Sequence, residues 1–139
     1  GWLSDWALRF NSRAYFLVSG LGLLAGMPLA AGAIASSSLP LSIGCLFLAE
    51  FFLFLNMGPL NAVIVSVTDL RERSMAFAAN IFVIHALGDA VSPALIGLAS
   101  DRFGLKAALL GACLALGAAG GLCLWGMSYY DRDAALVHG

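Results

Sequence analysis

Between Arg13 and Glu50 the chain carries no charged side chain. So long an ion-free run cannot coat a water-exposed surface, so the surrounding solvent must be hydrocarbon. About 20 apolar residues cross the roughly 30 Å core of a bilayer as a helix, and this run is too long for one crossing. It is interrupted once, by Ser36-Ser37-Ser38-Leu39-Pro40. Serines followed by a proline stop one helix and start another, because proline is accepted in the first turn, where its missing N–H has no partner to lose.

The rest of the 139 residues follows the same logic: 61% hydrophobic and only 11% charged, against about 25% charged in an average soluble domain. Spans are expected at about residues 14–35, 39–67, 75–98 and 105–127. The polar stretches Thr68–Ser74 and Ser100–Gly104 separate the last three. The fold class is all-α integral membrane, four transmembrane helices plus the end of a fifth before Arg13. No signal-peptide pattern opens the chain, and Gly1 reads as a cut end. Trp125, Tyr129 and Tyr130 form an aromatic belt after the fourth span. Arg9, Arg13, Arg71, Arg73 and Arg132 fall on one side of the membrane, Arg102 and Lys106 on the other; the excess of cations marks the first side as cytoplasmic, with the Arg102/Lys106 loop dissenting.

A net charge of −1 offers no basic face to nucleic acid. Cys45, Cys113 and Cys123 stand singly in apolar runs, without metal or redox spacing, and read as packing residues. No metal or other cofactor is implied. Small residues four apart (Gly22 and Gly26, Gly111 and Ala115, Gly117 and Gly121) allow close helix approach in lipid. Pro28, Pro59 and Pro93 lie inside spans, where proline kinks a helix and frees a carbonyl.

An ionisable group near the bilayer centre costs about 2.5–3.5 kcal/mol on insertion scales, which makes it a functional candidate. Glu50 in the second span is one, and Asn61, eleven residues later, falls on the same face of a continuous helix; the competing reading is that Glu50 snorkels to the interface or is neutralised by a neighbour. In the third span His85, Asp89 and Ser92 follow at i, i+4 and i+7, one polar stripe on an apolar helix. A His and an Asp one turn apart can hold or pass a proton; the competing reading is that Asp89 fixes the His85 tautomer and the pair bonds a neighbouring helix. Asn80 lies off the stripe, as interhelical glue or a polar contact for solute. One stripe on one helix does not make a hydrolytic triad or an oxyanion hole, so no catalytic residue is assigned and an enzyme is not expected.

Gly1-Trp2-Leu3-Ser4-Asp5 is echoed by Gly97-Leu98-Ala99-Ser100-Asp101. Three spans apart and on opposite faces, the two copies fit a nested inverted repeat, although Ser-Asp also simply ends helices well. Three stretches, Glu50 to Val65, Ile84 to Pro93, and Leu95-Ile96-Gly97 leading to Ser100-Asp101, resemble the C-terminal half of a major facilitator transporter, specifically a bacterial spinster-like (sphingolipid-transporter-like) member. The opening Gly1 to Arg13 is similar to the superfamily's Gly-x-Leu-x-Asp-Arg motif, with Trp6 where an arginine is usual.

The resemblance implies helices nine to twelve of a twelve-helix fold, a missing N-terminal half as partner, a bacterial inner (plasma) membrane, and alternating-access transport, proton-coupled or facilitative. The solute it implies is a small organic or amphipathic lysolipid-like molecule, with membrane lipid as the other partner. Glu50, Asn61, Asn80, His85, Asp89 and Ser92 would line the solute or proton pathway. Gly1, Asp5, Arg9, Arg71, Arg73, Asp101 and Arg102 would form conformational latches. The rival from another class is a small multi-helix structural or assembly subunit whose polar residues only glue helices together.

Overall fold

The computed structural model describes residues 13–138. Described residues outside turns are helical: α1 (Ala14–Ala35), α2 (Leu39–Phe54), α3 (Met57–Ser66), α4 (Arg73–Val83), a wide π-turn (Ile84–Asp89), α5 (Ser92–Phe103), α6 (Leu105–Gly126) and α7 (Tyr130–His138). Four stretches are long and apolar enough to cross a membrane: Ala14–Ala35, Leu39–Ser66, Arg73–Phe103 and Leu105–Gly126. The expected fifth-helix tail, with Gly1, Asp5 and Arg9, lies outside the described residues.

The spans are not packed in chain order. α1 lies between α6 on one side and α2 with α3 on the other, and the third span joins the arc through α5 on α6. Burial follows that order, at 33% of the apolar stretch of the first span and 0% of the third. Between helices in lipid there is no hydrophobic gain from leaving water, so contact depends on how closely backbones approach. At the α1–α6 crossing two glycines face each other. A Cβ on Gly20 would stand 2.8 Å from the Leu124 side chain and 3.1 Å from the Gly120 carbonyl, and one on Gly120 would stand 3.0 Å from the Gly20 carbonyl. On the other flank of α1 a Cβ on Gly22 would meet the Phe52 carbonyl at 3.1 Å, and one on Gly26 would touch Leu53. Of the small-residue pairs expected from spacing, Gly22 and Gly26 both face a partner. Gly117 would crowd Met27, whereas Gly111 and Gly121 face open space.

Helix ends leave carbonyls without partners. The end of α1 is capped three ways. The Ser36 N–H donates to the Gly32 carbonyl at 2.9 Å, the Ser42 hydroxyl to Ala33 at 2.6 Å, and Lys106 Nζ to Ala35 at 3.2 Å. The dissenting cation of the charge pattern is thus held by a helix C-terminus, where positive charge is favoured. Pro40 sits in the first turn of α2, as the Ser-rich break implies.

Two spans lose regular α-helical hydrogen bonding part-way along while their backbone stays in the right-handed helical region. Pro59 has no N–H to offer the Leu55 carbonyl, and α2 gives way to α3 at Leu55 and Asn56. In the third span the wide turn precedes Pro93, which stands at the start of α5. Pro28, by contrast, leaves α1 a single helix. The third span also runs further than expected, from Arg73 to Phe103, so Asp101 and Arg102 occupy the last turn of α5 rather than a loop. Gly104 is what ends it: φ of +85° with ψ of 151° is a conformation essentially confined to glycine.

The final helix, α7, starts at Tyr130. Arg13 Nε donates to Asp131 Oδ2 at 2.7 Å, and the rings of Phe16 and Tyr130 meet edge to face at 5.7 Å, so both ends of the described chain close on the same side. Nine residues are too few to span a membrane, and the local signal for this helix is Asp131 and Asp133 in its first turn, where the helix dipole favours acids.

Replacing Gly120 by alanine is expected to lower stability by about 1–3 kcal/mol through overpacking. Gly121→Ala, with nothing within 4 Å of the new methyl, should be neutral or slightly stabilising. Thermal unfolding in detergent, followed by helical circular dichroism on the natural-length protein, separates the two.

Candidate functional site

The third span carries the densest polar chemistry inside the membrane region. A π-turn inserts one residue into the α-helical ladder; here the Ala90 N–H reaches back five residues to the His85 carbonyl at 3.0 Å. His85 and Asp89 sit on this turn, near the middle of the span, and His85 Nδ1 lies 2.6 Å from Asp89 Oδ2. The i+4 spacing therefore yields a real contact. Pro93 has no N–H with which to pair the Asp89 carbonyl, so a backbone acceptor is freed beside the pair.

Ser92 parts from the other two. The i+7 arithmetic holds for an uninterrupted α-helix, and the inserted residue offsets everything after it. Ser92 begins α5 and lines a groove between α5 and α6. His85 and Asp89 point away from the other helices, with side chains 67% and 68% exposed. Facing lipid, such a pair would carry the insertion cost of ionisable groups.

Glu50 lies near the middle of the second span, eleven residues from Leu39, or about 16 Å of helix rise. That depth is about half the hydrocarbon thickness, and a side chain as short as glutamate does not reach an interface from there. It lines an open recess of about 490 Å³ with Phe47, Phe51, Phe54 and Leu55. Asn61 lies beyond the break at Leu55 and Asn56, so the shared face expected from an eleven-residue spacing is not that of one continuous helix. Asn80 is half-buried on α4, and its carbonyl closes the helix by accepting from the Ile84 N–H. Among the described residues no hydrogen bond joins Glu50, Asn61 or Asn80 to one another or to the His85–Asp89 pair.

The turn between the second and third spans is built from side chains. Asp69 Oδ1 accepts from the Arg71 N–H at 3.0 Å, and Arg73 Nη2 donates to the Val65 carbonyl at 3.0 Å, capping α3. Arg71 is exposed. No cluster of three His, Cys, Asp or Glu side chains able to hold a metal occurs among the described residues.

No family model matches the chain. It is 34% identical to protein spinster homolog 1 of Mus musculus over 94% of its length, and 33% identical to the Homo sapiens protein of that name over 92%. Over a shorter stretch, 41% of the chain, it is 44% identical to sphingosine-1-phosphate transporter SPNS2 of Danio rerio. The chain spans about 28% of the length of the mouse and human relatives.

Arg73→Ala removes the cap on α3 and is expected to cost about 0.5–1.5 kcal/mol, while Arg71→Ala leaves stability within about 0.5 kcal/mol. Hydrogen exchange at the amides of residues 65–73 provides the check. The match along nearly the whole chain, together with four apolar helices, places it in the spinster-like group of major facilitator transporters.

Proposed function

We infer that the chain supplies helices nine to twelve of a secondary transporter that works by alternating access, with coupling to protons through His85 and Asp89. The observation that carries this reading is the 2.6 Å His85–Asp89 contact on a wide turn in mid-span, with both side chains on an open face. An imidazole and a carboxylate in contact can hold a proton or pass it between them. A π-turn flanked by proline is also a place where a span can bend as the two halves of a carrier rock. Glu50 and Asn80 extend the polar pathway on neighbouring segments, and Asn61 continues it past the Pro59 break.

The solute we propose is an amphipathic lysolipid-like molecule. The name of the zebrafish relative supports that class, and the family supports a carrier over an enzyme or a structural subunit. An opposing N-terminal half would supply the other wall of the cavity and cover the exposed pair. At the cytoplasmic turn, Arg71 and Arg73 would act with Gly1, Asp5 and Arg9 as a latch. A bacterial inner membrane is the setting suggested by the sequence resemblance; the relatives named above are vertebrate.

In proteoliposomes of the natural-length protein, His85→Ala and Asp89→Asn are each expected to reduce pH-gradient-driven uptake at least tenfold, with the protein still folded. Uptake that keeps wild-type rate and pH dependence in both variants makes the pair structural and overturns the proton assignment.

A further inference from the structure

The groove between α5 and α6 takes no part in the pathway proposed above. It measures about 540 Å³ and is lined by Leu95, Ile96, Phe103, Ala107 and Ala112, with Ser92 as its one hydroxyl-bearing side chain. Its floor on α6 is Ala108 and Gly111, and a Cβ on Gly111 would meet nothing within 4 Å. The groove's depth follows from its ends. Ser92 and Phe103 are eleven residues apart on one helix, about 16 Å of rise, which is close to half of the roughly 30 Å hydrocarbon core. It runs from one membrane face to the midplane, the extent of a single acyl chain in a single leaflet.

Two cations stand at the membrane-face end of the groove, next in sequence to residues that line it. Phe103 and Ala107, which line that end, are each preceded by a cation, Arg102 and Lys106. Arg102 is exposed, with no side-chain hydrogen bond or ion pair to the described residues, and Lys106 spends one donor on the Ala35 carbonyl and keeps the others. Asp101 is the only carboxylate adjoining them in sequence. An apolar slot one leaflet deep with two cations at the interface is complementary to an anionic head on an acyl tail.

We propose that this groove is a binding site for a resident anionic phospholipid of the non-cytoplasmic leaflet, its phosphate held by Arg102 and Lys106 and one acyl chain lying between α5 and α6. The site depends on membrane insertion and on the orientation read from the charges, not on the transport reading. It also gives Arg102 and Lys106 a reason to stand against the cation bias of the other face: they are ligands for lipid rather than topology signals.

Native mass spectrometry of the natural-length protein, purified in detergent containing equal amounts of phosphatidylglycerol and phosphatidylcholine, tests it. The expected result is one retained phosphatidylglycerol, preferred at least fivefold over phosphatidylcholine. Arg102→Gln should reduce that preference about fivefold, the worth of one interfacial charge. Gly111→Leu, whose Cβ meets nothing within 4 Å and whose longer side chain enters the slot, should abolish retention of either lipid while helicity is unchanged. Lys106 also caps α1, so Arg102 is the cleaner variant. Retention indifferent to headgroup, or unchanged in both variants, overturns the proposal. So does displacement of phosphatidylglycerol by an equal amount of lysolipid, which would make the groove a solute site.

Discussion

Helices in lipid gain nothing by leaving water, and this fold depends on how close α1 comes to its two neighbours. The closest approach is at Gly20 and Gly120, where each backbone carbonyl occupies the space the other's side chain would need. Gly22 does the same against Phe52 on the opposite flank. Because the two sets of glycines lie on different faces of one helix, α1 holds α2 and α6 at once and becomes the hub of the arc. The third span has no such grip. It reaches the arc through α5 on α6 and leaves α4 and the wide turn facing outward.

That asymmetry matters for the polar residues. A span packed on all sides would have to bury His85 and Asp89 against apolar neighbours. Here they stand on an exposed helix face, paired with each other and beside a carbonyl that Pro93 cannot serve. Backbone groups in hydrocarbon must find partners, and breaks in a span are tolerated where protein or water supplies them. The Pro59 and Pro93 breaks both fall in the two spans that carry the acids, and none falls in the tightly packed α6. Intramembrane acids and irregular backbone thus share the second and third spans.

Much of this was legible in the residues. The charge-free run and the Ser36–Pro40 stop mark the first two spans, because lipid tolerates so few alternatives. The His85–Asp89 contact was legible because i and i+4 are neighbours on an α-helix and remain within reach on a wider turn. Other features were not. Nothing local distinguishes Gly111 and Gly121, which face open space, from Gly20 and Gly120, which form the crossing. Which face of a helix meets which partner is decided by residues a hundred positions away. The π-turn left no propensity signal either, and the offset it introduces is what separates Ser92 from the stripe that simple counting assigned to it. Gly104 shows the opposite failure: Ser100 to Arg102 look like a helix stop, yet the helix continues until a backbone conformation only glycine adopts.

Lys106 shows how a residue that breaks one rule can satisfy another. As a topology signal it opposes the cations of the other end, but its ammonium reaches the Ala35 carbonyl across the end of α1 and offsets the negative end of that helix. A cation fixed by a helix terminus is held at the membrane face whichever way the charge bias points, so it carries little information about orientation. Setting Lys106 aside leaves only Arg102 against the charge bias of Arg13, Arg71, Arg73 and Arg132. It also follows from the fold that these four lie at one end: α1 and α4 start there, and α3 and α6 finish there.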